Sequence, residues 1–231
     1  MLPIHFAPLQ GFTEAPYRRI HQQLCGGIDT YYTPFIRLEH GQIRKKELRE
    51  ALPEQNEGVH IVPQVIAGDV TEFAILVEKL IELGYQEIDI NMGCPFPLQT
   101  RIGRGSGILL HPDKATGILQ EAKKIHEEKG VNFSVKMRLG QESADECMAL
   151  LPALNDTPLK HITLHPRVGR NQYKGELDME AFARFYEQSK NPIIFNGLLL
   201  TVEDIKRIEE QYPKLAGLMI GRGLLSRPTL A

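Results

Sequence analysis

The sequence predicts an α/β fold, a parallel (β/α)8 TIM barrel spanning residues 1-231 as one domain. Three observations carry this reading. Short apolar or β-branched runs alternate with helical patterns from one end to the other. There are eight such runs, mostly about 25 to 35 residues apart, one βα step each. The first run leads into Pro8-Leu9-Gln10-Gly11 rather than the Gly-rich turn that usually follows the first strand of an open doubly wound sheet.

The predicted strands are residues 4–7, 30–33, 60–65, 87–91, 132–137, 161–165, 192–196 and 217–220. Between them, Thr71 to Leu83 sets Phe73, Ala74, Val77, Leu80 and Ile81 at helical spacing, with Gly84 as a stop. Pro112 to Lys129 sets Ile118, Leu119, Ala122 and Ile125 on one face. Thr201 to Tyr212 opens with an N-cap threonine and two acids in its first turn, and Pro213 follows its end. The sequence stops at Ala231, about ten residues after the eighth run. The barrel is therefore expected to be truncated in or before its eighth helix, with an apolar groove between the seventh and first helices.

Composition narrows the function. The 231 residues are 42% hydrophobic and 24% charged, with a formal net charge of −2. The chain is thus globular and not uniformly basic, so RNA contact must come from local clusters of charge. No apolar run approaches the ~18 residues of a membrane span, and no basic leader precedes an apolar stretch. Cys25, Cys94 and Cys147 are too few and scattered for a disulfide framework. A cytoplasmic, monomeric protein without membrane contact or metal is expected.

Barrel enzymes keep their chemistry at the C-terminal ends of the strands, and polar residues collect there. Cys94 follows the fourth run in Asn91-Met92-Gly93-Cys94-Pro95. A lone cysteine is more often a small core hydrophobe. Here it lies between a glycine and a proline, at the start of a long loop with Gly103, Gly105 and Gly107, expected to be mobile. Cys25 and Cys147 lack such surroundings. Lys136 and Arg138 share one side of the fifth strand by its period of two. Two cations aimed into a barrel mouth imply an anionic or electron-rich ligand. His165 ends the sixth run, and Arg167, Arg170, Tyr173 and Lys174 form a basic and aromatic loop suited to nucleic acid. Asn196-Gly197 and Gly221-Arg222-Gly223 end the last two runs, where barrels recurrently bind phosphate. There is no close His/Glu metal spacing, Gly-x-Ser-x-Gly elbow or P-loop, which leaves metal hydrolysis, serine chemistry and ATP use poorly supported.

Taken in order, these segments resemble the tRNA-dihydrouridine synthase family. The motifs are Ala7 to Thr13, Gln64, Asn91-x-Gly93-Cys94-Pro95, Gly105-Ser106, Lys136-x-Arg138-x-Gly140, His165-x-Arg167 with Tyr173-x-Gly175, Asn196-Gly197 and Met219 to Gly223. The resemblance implies FMN as cofactor, NADPH or NADH as reductant and tRNA as substrate. Hydride would pass from the flavin to C6 of uracil and a proton from Cys94 to C5. It implies cofactor contacts from Pro8, Leu9, Gln10, Gln64, Lys136, His165, Asn196, Gly197, Leu198, Gly221 and Arg222. It implies uracil contacts from Asn91, Arg138 and Tyr173. Arg44 to Lys46 reads as a charged helix face; Arg101, Arg104, Arg167, Arg170 and Lys174 are expected to line a path for RNA. Val168, Leu198 and Gln99 depart from the family pattern, and the family's C-terminal helical tRNA-binding domain is expected to be absent. Two other readings stay open: a flavin barrel acting on a free pyrimidine, as dihydroorotate dehydrogenases do, and a non-catalytic flavin- or RNA-binding barrel fragment.

Overall fold

A computed structural model describes residues 2–231. Its main sheet holds nine parallel segments, of which Ile61–Val62 and Gln64–Val65 are halves of one strand interrupted at Pro63. Proline has no N–H for the ladder. Its carbonyl still accepts from the Asp89 N–H at 2.9 Å, which carries the pairing across the break. Counting the halves together as β3, the strands are β1 Ile4–Phe6, β2 Thr30–Tyr32, β4 Glu87–Met92, β5 Asn132–Gly140, β6 Leu159–Val168, β7 Ile193–Phe195 and β8 Gly217–Ile220. Each pairs in parallel with its sequence neighbours, and β1 pairs with β8, which closes the barrel.

Burial on both faces explains the strand pattern. In β4, Ile88, Ile90 and Met92 join the large outer core shared with helix residues such as Phe73 and Leu76. The alternate residues Asp89 and Asn91 are also buried, and their side chains bond to Gln64 and Ser134 on the two flanking strands. Apolar residues of the interior form a smaller cluster of Ala7, Tyr32, Val62, Ile194 and Met219. Beneath it, the Tyr32 hydroxyl lies 2.9 Å from His5 Nδ1 and 3.2 Å from His161 Nε2. The barrel is oily outside its strands, and its interior combines this small apolar cluster with buried polar side chains.

The three helices expected from periodicity are present. Val70–Glu82 is capped by the Asp69 carboxylate, which accepts from the Glu72 N–H. Pro112–Lys129 ends at Gly130 with φ +70°, the left-handed cap glycine favours. Val202–Gln211 carries a full capping box between Thr201 and Asp204. Thr201→Ala should therefore lower unfolding stability by about 1 kcal/mol, read as a lower urea midpoint with unchanged slope.

Three more helices complete the ring: Ala15–Leu24, Asp145–Asp156 and Met179–Gln188. Pro152 lies inside the second of these, where the residue type alone reads as a breaker. The second barrel helix is reduced to the single turn Lys45–Leu48, followed by two short 3-10 turns. Arg18 knits this segment to the first helix. Its guanidinium is fully buried and donates to Thr13 O, Glu50 O and Asn56 Oδ1 at 2.6 to 2.9 Å.

After β8 the chain makes the short helix Arg222–Ser226 and turns back against the first helix. There His21 Nε2 meets the Pro228 carbonyl at 2.8 Å and Leu230 is buried. These residues partly occupy the expected groove, while Ile20 and Leu24 remain 57% and 75% exposed.

Candidate active site

The C-terminal ends of the strands open into a solvent-accessible cleft. Pro8, Leu9 and Gln10 line it after β1, and Asn91 and Cys94 after β4. Lys136 and Arg138 enter from β5, His165 and Tyr173 from β6 and its loop. Asn196, Gly197 and Leu198 follow β7, and Gly221 and Arg222 follow β8. Of the expected site residues, only Gln64 does not line the cleft: it is wholly buried one layer below.

The strand period explains the convergence. Asn91, Lys136, His165 and Asn196 are inward positions near the C-terminal ends of their strands, and Lys136, His165 and Asn196 form a hydrogen-bonded floor. Lys136 Nζ donates to Asn196 Oδ1 at 2.8 Å, and Asn196 Nδ2 donates to the Met219 carbonyl. His165 is held neutral, its pKa pushed well below the ordinary value by burial and by Arg138 and Lys136 nearby. Its Nδ1–H therefore donates to the Asn196 carbonyl at 2.6 Å, which leaves Nε2 to accept from Arg167.

Charge in the cleft is one-sided. Lys136, Arg138 and Arg222 line it, and no aspartate or glutamate does. Burial, reinforced by Arg138, lowers the Lys136 pKa to about 8. Burial also lowers that of Arg138 to about 10. Arg138 ties the loop after β4 to the end of β6 and its loop through the carbonyls of Gly93, Val168 and Gln172. Tyr173, 53% exposed, stands by both arginines, with guanidinium carbons 5.6 Å (Arg138) and 5.1 Å (Arg222) from its ring centre. The preceding Gln172 sits at φ +48°, a strained conformation for a non-glycine residue.

Cys94 is half-buried, and burial raises its thiol pKa above the ordinary value. The expected mobile loop around it is instead well anchored. Pro97–Thr100 forms a helical turn and Gly105–Leu110 a 3-10 helix. The Ser106 N–H donates to the Cys94 carbonyl at 3.0 Å, while the single Ser106 hydroxyl proton faces both that carbonyl at 3.1 Å and Gln141 Oε1 at 2.7 Å. Gly105 has φ +60°, and an added Cβ would run into the same carbonyl, so glycine is required there.

Two cations expected along an RNA path have other partners. Arg167 is buried and donates twice to the Gly175 carbonyl, which folds the 169–175 loop back on its strand. Arg104 is buried against Glu72 and the Leu38 carbonyl. The Arg104 partners are distant in sequence and that of Arg167 is a backbone carbonyl eight residues on, so residue type alone does not reveal them. Arg170 is exposed and pairs with Glu142 at 3.3 Å, and Lys174 and Arg101 are exposed. Asp89 and Ser134, a buried hydrogen-bonded pair below the cleft, are not among the residues expected from sequence. Their signal was available: both are inward positions of strands already recognised.

A family model described as dihydrouridine synthase matches residues 5–231. The chain is 30% identical to tRNA-dihydrouridine(16) synthase of Pseudomonas putida, aligned over 99% of this chain and 72% of that protein. It is 30% identical to tRNA-dihydrouridine synthase B of Pasteurella multocida, over 98% and 67% of the two chains. With tRNA-dihydrouridine(20a/20b) synthase of Saccharomyces cerevisiae, whose name specifies NAD(P)+, it shares 29% identity over 96% of this chain and 60% of the yeast protein. Among solved structures, a morphinone reductase variant superposes with TM-score 0.66 at 9% identity, over 99% of this chain and 85% of that one. A phosphoribosylanthranilate isomerase from Pyrococcus furiosus gives TM-score 0.56 at 14% identity, over 100% and 94%. At these identities the structures speak to the barrel fold alone.

Proposed function

The chain belongs to the dihydrouridine synthase family, and on that premise we propose that it reduces uridine in tRNA to 5,6-dihydrouridine with bound FMN and NADPH or NADH as reductant. The observation that carries this reading is a cleft lined by three cations and no acid, with a protonated thiol at its edge.

The residues present fit FMN. Pro8, Leu9, Leu198 and Leu200 give apolar walls for a flat ring system, and Arg222 beside the Gly221 and Gly223 backbone suits a phosphate. Lys136 stands at the centre with a neutral oxygen, Asn196 Oδ1, as its hydrogen-bond acceptor. It is placed to meet negative charge. When bound, FMN supplies the two-electron reduction of the uracil ring at C6, after being charged by NADPH or NADH.

The chain's own groups do the rest. A uridine must leave its stack to reach the cleft floor. Tyr173 offers an exposed ring face on which the extruded base can stack. Arg138 Nη2, without a partner among the described residues, can donate to a uracil carbonyl. One Asn91 Nδ2 hydrogen is spent on Gln64, and the other has no partner among the described residues and is free to meet the base. Cys94 gives its proton to C5, and its raised pKa keeps the thiol protonated at neutral pH. Arg138 and Lys136 stabilise the thiolate left behind, until solvent returns the proton.

The test is a tRNA reduction assay. The purified protein should show flavin absorption that bleaches with NADPH and recovers on addition of unmodified tRNA, with dihydrouridine in the digested product. A flavoprotein that turns over free uracil or dihydroorotate but not tRNA would replace this reading with the free-pyrimidine one.

A further inference from the structure

We propose that Asp89 is a positioning residue for the Cys94 loop, acting through a relay of two side-chain amides, Gln64 and Asn91. The proposal rests on the assignment of Cys94 as proton donor for its functional consequence, though not for its geometry.

The relay is continuous and its polarity is set at both ends. At the upper end, Asn91 Oδ1 accepts from the backbone N–H groups of Gly93 and Cys94 at 3.0 and 2.8 Å. Two backbone donors require an oxygen there, so the Asn91 amide nitrogen points the other way. It lies 2.7 Å from Gln64 Oε1. That in turn sends Gln64 Nε2 downward, where it meets Asp89 Oδ2 at 2.7 Å. The lower end demands the same direction. Asp89 is fully buried, and its other oxygen accepts from Ser134 Oγ at 2.6 Å. Burial raises the Asp89 pKa to about 6, partly offset by these two hydrogen bonds and by Lys136. At neutral pH it is therefore a carboxylate, which can only accept.

Reversing either amide would set two N–H groups, or two oxygens, against each other in a buried site. The carboxylate thus excludes the reversed state of Gln64, and Gln64 excludes that of Asn91. Gln64 and Asn91 are buried too, so water does not compete for these contacts. Cys94 is then held from two sides: its N–H by the relay and its carbonyl by Ser106.

The experiment is hydrogen–deuterium exchange of the Met92 to Pro95 segment in the flavin-loaded protein, read alongside the two half-reactions. In Asp89→Ala and Gln64→Met, exchange at Gly93 and Cys94 should rise on the order of tenfold, as expected for one hydrogen bond's worth of hold. In Asp89→Ala, reoxidation by tRNA should slow while reduction by NADPH does not. Asp89→Asn still offers an oxygen to Gln64, with Ser134 rotating its hydroxyl to accept, and should keep wild-type exchange. Unchanged exchange in Asp89→Ala and Gln64→Met would overturn the proposal. Equal damage from Asp89→Asn and Asp89→Ala would also overturn it, since charge beside Lys136 rather than hydrogen-bond direction would then be at work. If Asp89→Ala does not fold, Gln64→Met decides, because it leaves the carboxylate beside Lys136 in place. Dihydrouridine formation by Cys94→Ala would remove the acid assignment and leave the exchange result standing.

Discussion

Cys94→Ala is expected to retain flavin and its bleaching by NADPH while losing dihydrouridine formation by about 10²- to 10⁴-fold, the usual contribution of a placed general acid. The selectivity follows from where the residue sits. Cys94 lines the cleft, but its structural bonds run through its backbone N–H and carbonyl, which alanine keeps. The thiol itself is the only group lost, so folding and cofactor capture should be spared. Single-turnover mixing separates the steps: flavin reduction should match wild type, and reoxidation by tRNA should be slow. Serine at this position keeps a proton but on a far weaker acid, and Cys94→Ser should also be impaired. Reoxidation at the wild-type rate in both variants would exclude Cys94 as the donor.

The barrel was legible because the outer faces of its strands are apolar at every second position. Ile88-x-Ile90-x-Met92 and Phe133-x-Val135-x-Met137-x-Leu139 are such rows, all buried against helices. The candidate site was legible for the same reason in reverse. Polar residues that interrupt these runs near their C-terminal ends face inward, and strand closure gathers them whatever their distance in sequence. The partners of buried cations were not legible. Arg104 and Arg167 read as free cations until the fold supplies Glu72 and the Gly175 carbonyl. The Asp89 relay was hidden because each member looks like an ordinary polar interruption of a strand. Only the register, Gln64 opposite Asp89, brings the pair together. The helices Ala15–Leu24 and Asp145–Asp156 were obscured by prolines at positions 16 and 152.

Lys136→Met is expected to weaken FMN binding and slow tRNA-linked turnover by on the order of 10² or more, the scale set by losing a charge aimed into a water-poor site. Without cofactor the same change should leave the protein as stable as wild type or more so. The reason is burial: with Arg138 it lowers the Lys136 pKa from 10.5 to about 8, so the folded state holds this cation at a cost. Methionine keeps an unbranched side chain one atom shorter, and in the cofactor-free cleft water can replace the donor to Asn196 Oδ1. The sign of the pH dependence is then determined. Below pH 8 both folded and unfolded chains carry the charge, and the full cost is present. Between about pH 8 and 10.5 the unfolded chain binds more protons than the folded one, so this residue's contribution makes wild type gain stability relative to Lys136→Met as pH rises. An anion in the cleft reverses the balance by favouring the protonated amine. Wild-type affinity for FMN should therefore fall as pH climbs through 8, with proton uptake on binding, and the variant should lack that component of the decline. Equal FMN affinity in the two proteins across this range would mean that Lys136 does not face the cofactor's charge.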